Sequence, residues 1–315
     1  MEIFYNDNLK ILIEFISGLI VFLFSIRLLS LTLEENISFK WKTLIERFTS
    51  MRINGLILGI VVTALLQSSS LVIIIIITLV HSRLINVNKA IPLILGSNIG
   101  TTFTGQLTAF NINSLLSYLI ILGIVLYLYT TNYHIQITSI FILSIALIFI
   151  GIELMGGSVA SFTNSPELLK YVYYIYDSNF NGVIFGAAFS ALIHSSSTSV
   201  VLLQLIAKSG MIPLISAIYI LFGLNIGTCI DAVIGGIATN SYGKRIALFH
   251  VLFNILGVLV FFYLGNILAK VVVYISPNNI PRQIANAHTI FNVIMALLVL
   301  PFTYNISCFL KKVIR

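Results

Sequence analysis

The chain is short of charge, cysteine and tryptophan. Only 9% of its 315 residues are Asp, Glu, Lys or Arg, whereas 58% are hydrophobic, and it has two cysteines and one tryptophan. A soluble domain has about 25% charged residues, so this chain has too few to cover a surface that faces water. These values exclude a soluble globular enzyme, a disordered protein and a nucleic-acid-binding module, and they predict a protein that lies in lipid.

The usual motifs of enzymes and metal proteins are missing as well. Cys229 and Cys308 lie in apolar stretches and give neither a disulfide framework nor a CxxC metal pattern. The sequence has no HExxH, GxSxG, paired-carboxylate or phosphate-loop motif. His194 directly precedes Ser195, an arrangement that does not favour a Ser–His–Asp hydrolase. We therefore expect no enzymatic activity and no cofactor.

Apolar stretches make up most of the chain. They approach or exceed the roughly 20 residues that a helix needs to cross hydrocarbon, and their composition predicts an all-α membrane protein. The first is too long for a cleavable signal peptide. The stretches are Leu9–Leu33, Gly55–Val80, Ala90–Phe110, Leu115–Thr130, Ile137–Ala160, Gly182–Ala207, Ile212–Ala238, Ile246–Ile275 and Ala285–Leu310.

Two halves of the chain match without a gap at an offset of 127 residues, the separation of Gln67 and His194. About 18 of the 52 positions over residues 54–105 are identical to their partners, and these include serines, asparagines and glycines that chance similarity of apolar helices does not explain. We interpret the match as a duplication. Repeat 1 covers residues 9–133, repeat 2 covers residues 137–275, and residues 285–310 form an extra C-terminal transmembrane helix.

Each repeat carries a polar cluster inside an apolar stretch. Serine hydroxyls compete for backbone hydrogen bonds, so three serines in succession favour a break in the helix. A break exposes carbonyl oxygens that suit Na⁺ and amide N–H groups that attract an anion. The clusters are Gln67, Ser68, Ser69 and Ser70 in repeat 1 and His194, Ser195, Ser196 and Ser197 in repeat 2.

These polar clusters permit two topologies. If the stretches that contain them cross the bilayer, the two halves are parallel; if each stretch dips in and returns, each half has three crossings and the halves are inverted. Counting Lys and Arg, with the Glu34–Asn54 loop and its Lys40, Lys42, Arg47 and Arg52 inside the cell, favours the second alternative too weakly to decide. Both alternatives put the C-terminus in the cytoplasm.

A GxNIGT motif follows each serine cluster. Its glycines, four residues apart, favour close helix packing, and its polar side chains need partners when buried. The motif supplies Asn98, Thr101 and Thr102 in repeat 1 and Asn225 and Thr228 in repeat 2.

Charged residues are scarce near these motifs. Asp231 is either an intramembrane carboxylate that binds a cation or a solvated residue at a helix end. No Lys or Arg lies in either motif, so a bound anion needs co-bound cations, which predicts coupled transport.

A His–Asn pair with four-residue spacing occurs twice in the second half, as His250 with Asn254 and as His288 with Asn292. The residues of each pair share a helix face. This spacing predicts hydrogen bonds between helices.

Two QSSS-type clusters, each followed by a GxNIGT motif, together with the AxxHxxFN-like segments, resemble the sodium–phosphate cotransporter (Na/Pi, type II) family over nearly the whole chain. The resemblance implies a polytopic helical transporter with two inverted repeats, each containing a re-entrant helical hairpin. It also implies Na⁺-coupled import of inorganic phosphate across the plasma membrane. His194 departs from the pattern, since the family usually has glutamine there.

The resemblance also implies a site for phosphate and Na⁺ that the two repeats share. Its members are Gln67, Ser68, Ser69, Ser70, Asn98, Thr101, Thr102, His194, Ser195, Ser196, Ser197, Asn225 and Thr228. We expect Na⁺ ligands among Gln67, Ser69, Thr101, Ser196, Thr228 and Asp231. The expected surroundings are a lipid bilayer and no nucleic acid, and a homodimer is left open.

Other functions fit the residues alone. A transporter of the same fold would carry another oxyanion or an organic acid, and competition by sulfate or dicarboxylates would reveal it. A non-transporting membrane scaffold or sensor would be indifferent to Ser69→Ala or Ser196→Ala. A channel would pass its ion without Na⁺ coupling or saturation.

Overall fold

The computed structural model describes residues 2–36, 51–110, 112–162, 170, 172–175 and 177–315. These residues form helices and turns and no strand, which confirms the all-α prediction. Lys40, Lys42 and Arg47 of the basic loop lie outside them. The helices are α1 (Glu2–Asn36), α2 (Arg52–Leu66), α3 (Ser69–His81), α4 (Val87–Thr108), α5 (Asn113–Leu128), α6 (Tyr133–Phe162), α7 (Asn179–Ile193), α8 (Ser196–Lys208), α9 (Leu214–Gly227), α10 (Cys229–Ile237), α11 (Ser241–Phe262), α12 (Gly265–Ile275), α13 (Ile280–Val299) and α14 (Thr303–Val313).

Within the described ranges, five segments are long and apolar enough to cross a membrane. With their length and hydropathy they make the chain a multi-pass membrane protein. The segments are Leu9–Thr32, Tyr133–Ser161, Leu214–Ile237, Ser241–Phe262 and Ile280–Val313.

Three stretches that we expected to be single helices are interrupted. The stretch Ile212–Ala238 ends its first helix at Gly227 and begins the next at Cys229. The stretch Ile246–Ile275 ends its first helix at Phe262, whose carbonyl accepts a 3.0 Å hydrogen bond from the Tyr219 hydroxyl. The C-terminal stretch has a 3₁₀ turn at Leu300–Phe302. Pro301 causes it, because proline has no N–H to donate and its ring clashes with the preceding turn.

Short polar residues set several helix starts, because a side-chain oxygen can accept from the free N–H groups of the first turn. Asn86 accepts from Lys89 N at 3.0 Å and so begins α4. Asn279 accepts from Arg282 N at 3.0 Å and begins α13.

Helices α4 and α9 form the centre of the bundle. Residues 90–98 and residues 217–225 are all buried, and the two runs are partners at the 127-residue offset. The neighbouring helices approach closely at glycines: a β-carbon added to Gly96 would lie 2.0 Å from Leu56 O, and one added to Gly223 would lie 2.0 Å from Val183 O. The predicted close packing at these glycines is confirmed.

In both repeats the helix before the serine cluster packs parallel to the central helix. The contacts advance in the same direction along both helices of each pair. For α2 and α4 they join Gly55 to Pro92, Gly59 to Gly96, Thr63 to Gly100 and Gln67 to Thr104. For α7 and α9 they join Gly182 to Tyr219, Gly186 to Leu224 and Ser190 to Gly227, and the next contact along the chain joins His194 to Asp231 at the start of α10.

Helices α1 and α6 pack in the opposite sense. A β-carbon on Gly18 would lie 2.8 Å from Met155 N, and one on Gly151 would lie 2.7 Å from Phe22 N. Contact positions therefore rise along one helix as they fall along the other, which makes the two helices antiparallel. Glycine at both positions permits this backbone contact.

One end of the bundle collects basic side chains, and we call it the basic end. Arg52 donates 2.6 Å to Pro301 O, Arg245 donates 3.0 Å to Ile314 O, and both Arg83 and Arg245 lie over the Tyr242 ring. The basic end comprises Arg52, Arg83, Lys89, Lys244, Arg245, Lys311, Lys312 and Arg315.

Candidate functional site

The chain breaks two helices at matched residues. Gln67 ends α2 in the left-handed conformation with φ 51°, and His194 ends α7 in the same way with φ 54°. The next residue in each repeat is extended, with φ −144° at Ser68 and −149° at Ser195. A left-handed residue without glycine is uncommon, so the same strained turn at both positions indicates a shared structural requirement.

Each break begins a new helix whose first N–H groups are available. Ser68 Oγ accepts from Leu71 N at 3.3 Å, and Ser195 Oγ accepts from Thr198 N at 3.3 Å. Within the described residues, the N–H groups of the two residues that open each helix have no hydrogen-bond partner. Two free helix N-termini thus provide positive partial charge and N–H donors that suit an anion.

The carbonyl ends of α2 and α7 are capped differently. In repeat 1 the Gln67 amide donates to Ala64 O, and Ser30 of α1 donates 2.7 Å to Leu66 O. At the matching end of repeat 2, the described residues supply only the 3.1 Å bond from His194 N to Ser190 O, which repeat 1 also has as Gln67 N to Thr63 O at 2.9 Å. More carbonyl oxygens are therefore left for another ligand in repeat 2.

A symmetric network joins the two breaks. Thr104 donates 2.6 Å to Gln67 Oε1 in its own repeat, and its hydroxyl lies 3.2 Å from Ser197 Oγ in the other repeat. Asp231 is the partner of Thr104 at the 127-residue offset, and it likewise contacts one break in its own repeat and one in the other repeat. It accepts 2.7 Å from His194 Nδ1 in its own repeat and accepts from Ser70 Oγ across the interface.

Asp231 lies in the first turn of α10. Its side chain is 13% exposed, and both carboxylate oxygens accept hydrogen bonds from the two breaks. It is therefore part of the network and not freely solvated, while cation binding by Asp231 stays a prediction. His194 is more open, with 54% of its side chain exposed.

The asparagines of the GxNIGT motifs are held by the His–Asn pairs. Asn225 Oδ1 accepts from His288 Nε2 at 3.2 Å and from Asn292 Nδ2 at 3.4 Å. Asn98 Oδ1 accepts from Asn254 Nδ2 at 3.5 Å. These contacts confirm the predicted hydrogen bonds between helices.

The remaining predicted residues do not join the network by their own hydrogen bonds. Thr101, Thr102 and Thr228 donate to carbonyls of their own helices at 2.8–2.9 Å. In the described part of the chain the hydroxyls of Ser69 and Ser196 form no hydrogen bond, although both lie in the first turn after a break.

Sequence reasoning missed Thr104. A lone threonine in a helix is not a functional motif by itself. Thr104 is, however, the partner of Asp231 at the 127-residue offset, so the repeat would have identified Thr104 as a candidate. It also missed Gln204, which is buried and receives a 2.9 Å hydrogen bond from Thr108. No repeat or motif marks Gln204, since its partner position is Ile77.

Comparison with known proteins adds a second line of argument. The family model described as Na⁺/Pi-cotransporter matches residues 21–157 and 161–276. The uncharacterized protein YqeW of Bacillus subtilis is 32% identical over 254 residues, which cover 79% of this chain and 80% of that protein. No solved structure matches the chain.

Two further relatives have names that refer to phosphate. The "Putative inorganic phosphate export protein YjbB" of Salmonella typhimurium is 25% identical over 219 residues, or 70% of this chain, and the chain spans only 40% of its length. The sodium-dependent phosphate transport protein 2A of Oryctolagus cuniculus is 53% identical over 55 residues, which are 18% of this chain and 9% of that protein.

Proposed function

The chain belongs to the Na⁺/Pi-cotransporter family, and from that premise we propose that it imports inorganic phosphate by Na⁺-coupled alternating access. The observation that carries the proposal is the network of Thr104 and Asp231, which brings two broken helices of the two repeats into one site. Discontinuous helices that meet near the midplane are the usual site of secondary transporters.

The proposed topology has two inverted repeats, each with a re-entrant hairpin. Because α2 and α4 run parallel and α4 follows α3 directly, α3 has to run back from the break to the start of α4. At roughly 1.5 Å per residue, α2 and α3 each extend about 20 Å, enough to reach the middle of a bilayer and return. Helix α2 starts at the basic end, while α8 leads away from it, which supports opposite orientations of the two hairpins.

The basic end is proposed to face the cytoplasm of a cell whose plasma membrane holds the protein. Lys and Arg concentrate on the cytoplasmic side of membrane proteins. The C-terminal residues Lys311, Lys312 and Arg315 belong to this end, so the C-terminus is placed inside.

The site has groups for both cargoes. The free N–H groups at the starts of α3 and α8 suit a phosphate, and the hydroxyls of Ser69 and Ser196 lie beside them. For Na⁺ we propose oxygen ligands from Gln67, Ser69, Thr101, Ser196, Thr228 and Asp231. Thr101 and Thr228 donate their protons to helix carbonyls, which leaves their oxygen lone pairs for a cation.

The coupling follows from charge. Asp231 is a carboxylate, and no Lys or Arg of the described residues belongs to the network, so phosphate binding without Na⁺ would add negative charge to negative charge. A unit pair about 4 Å apart gains roughly 4 kcal/mol at an effective dielectric near 20. Phosphate is therefore bound only together with Na⁺.

The test is uptake of radiolabelled phosphate into proteoliposomes with an imposed Na⁺ gradient. We expect saturable uptake that disappears in a K⁺ gradient and is lost in Ser69→Ala and Ser196→Ala. Saturable Na⁺-dependent uptake of labelled sulfate or of a labelled dicarboxylate, without uptake of labelled phosphate, would assign another substrate. Absence of any flux in a folded protein would point to a scaffold or sensor and would overturn the proposal.

Phosphate export is a second candidate, since a relative that covers 70% of the chain is named for export. Cells preloaded with labelled phosphate distinguish the directions. An importer accumulates phosphate when external Na⁺ is raised, whereas an exporter releases it under the same condition.

A further inference from the structure

A cavity of about 700 Å³ opens at the end of the bundle opposite to the basic end. Helices α4, α6 and α8 and the start of α13 line it, with Thr108, Gly157, Lys208 and Pro281 among the lining residues. Its volume lies within the range of roughly 300–1,000 Å³ that is usual for small-molecule sites.

The floor of this cavity is close to the network of the two breaks. Thr108, which lines the cavity, lies one helical turn from Thr104, which contacts Gln67 and Ser197. Only a thin layer of protein therefore separates the cavity from the site.

Gln204 forms that layer. It is 2% exposed, and its amide oxygen accepts 2.9 Å from Thr108 while its amide nitrogen donates 3.0 Å to Gly105 O and 3.0 Å to Pro281 O. These bonds connect α8 of repeat 2 with α4 of repeat 1 and with α13. Any movement of α8 away from α4 has to break them.

The matching position on the other side of the network is apolar. Ile77 is the partner of Gln204 at the repeat offset; it is 1% exposed and packs against Gly243, where an added β-carbon would lie 3.2 Å from it. Ile73 and Ile76 are buried beside it. The site is thus separated from the cavity by a polar side chain, whereas apolar side chains separate it from the basic end.

The rim of the cavity carries one charge of each sign. Lys208 is exposed and Glu153 is exposed, and neither forms an ion pair within the described residues. An ammonium group attracts an oxyanion, and a carboxylate attracts Na⁺, so both cargoes gain local concentration at this rim.

We infer that this cavity is the entry site for a hydrated oxyanion and Na⁺, and that Gln204 is the gate between it and the binding site. The inference rests on the proposed function and adds the route by which the cargo arrives. Lys208 makes the first contact with the anion, and release of Gln204 from Thr108 and Pro281 opens the path to the two helix breaks.

Thiol labelling tests the route. Gly157→Cys is the probe position, because a β-carbon there meets nothing within 4 Å. The background is Cys308→Ser, since Cys308 is exposed and Cys229 is buried. The reagent is a negatively charged, membrane-impermeant methanethiosulfonate. Asn266→Cys, exposed at the same end but outside the cavity, is the matched control, and Ser82→Cys at the basic end reports sidedness.

We expect the reagent to label Gly157→Cys from outside intact cells and to abolish phosphate uptake, while labelled Asn266→Cys keeps its uptake and Ser82→Cys is not labelled. Normal uptake by fully labelled Gly157→Cys would overturn the entry route. If the unlabelled wild type carries no phosphate while Gly157→Cys still reacts, the proposed function fails and the entry site fails with it. If the wild type takes up phosphate and labelled Gly157→Cys takes it up equally well, only the proposed entry site is overturned and the proposed function stands.

Two substitutions test the gate and the rim. Gln204→Leu keeps the volume and removes the three hydrogen bonds, so we expect phosphate leak without Na⁺ to rise about tenfold. Lys208→Gln should raise the phosphate concentration for half-maximal uptake, and the difference from wild type should shrink at high ionic strength. A Gln204→Leu protein that remains as tightly coupled as wild type would exclude Gln204 as the gate.

Discussion

The two helix breaks have the same backbone and different side chains. Gln67 and His194 have φ values of 51° and 54°, yet one is a neutral amide and the other an imidazole. Their contact partners differ as well, because Gln67 is hydrogen-bonded to Thr104 and His194 to Asp231. Repeat 1 therefore contributes a neutral pair to the site, and repeat 2 contributes a pair with a carboxylate.

Comparing the two breaks separates the residues that maintain the backbone structure from those that determine the polar contacts of the site. The serines after each break and the glycines of the central helices are shared, so they maintain the break and the close packing. The residues that differ are in contact with one another and sit at the polar centre. Asp231 gives repeat 2 a carboxylate at this centre, where repeat 1 has the hydroxyl of Thr104. We propose that this carboxylate serves Na⁺.

The largest expected effect concerns what the repeats share. Gly96→Ala and Gly223→Ala each place a β-carbon 2.0 Å from a backbone carbonyl, and backbone cannot move aside as a side chain can. We expect each to cost more than about 3 kcal/mol of stability, seen as loss of monodisperse protein in detergent. Gly157→Ala, whose β-carbon meets nothing within 4 Å, is the control. Tolerance of one substitution but not the other would show that the repeats pack differently.

The next effect concerns the charge that separates the repeats. Asp231→Asn keeps the shape and removes the carboxylate beside Ser70 and His194. Since a unit charge near a bound cation is worth about 4 kcal/mol at moderate dielectric, Na⁺-dependent uptake should fall by a factor on the order of 100 or more. A Na⁺ titration of phosphate uptake measures this.

Asp177→Asn serves as the control for Asp231→Asn, because Asp177 is exposed and outside the network. Unchanged Na⁺ affinity in folded Asp231→Asn would mean that the carboxylate only holds the two breaks together.

A smaller effect is expected for the neutral bridge. Thr104→Val removes the hydroxyl between Gln67 and Ser197 while preserving volume. Each of the two neutral hydrogen bonds that are lost is worth about 1 kcal/mol, so uptake should fall roughly tenfold and the Na⁺ dependence should keep its shape. Thr78→Val, on an exposed face, is the matched control. If Thr104→Val lowered uptake as much as Asp231→Asn, the expected difference between the neutral contact of repeat 1 and the carboxylate contact of repeat 2 would be contradicted.

Much of this arrangement was predictable from the sequence, because the duplication places like residues at like positions. The offset located both breaks, and the glycine spacing located the close contacts. What it could not give is which residues meet across the repeats, because Thr104–Ser197 and Asp231–Ser70 are contacts between segments far apart in the chain. The interruption after Phe262 was equally hidden, and the Tyr219 hydroxyl that donates to the Phe262 carbonyl comes from another helix.

The smallest effect concerns a bond that only one repeat retains. In repeat 1, Thr63 donates 2.8 Å to Ser97, and in repeat 2 the partner residues are Ser190 and Leu224, so the buried Ser190 hydroxyl has no acceptor among the residues that the structure describes. Thr63→Val should cost about 1 kcal/mol, because it leaves Ser97 without its donor.

Ser190→Ala should be neutral or slightly stabilising, since it removes a buried hydroxyl that has no hydrogen bond. Thermal unfolding in detergent compares the two variants under the same conditions. If Ser190→Ala is as destabilising as Thr63→Val, then Ser190 has a partner in the membrane-embedded protein, and the two repeats are more alike at this layer than their side chains indicate.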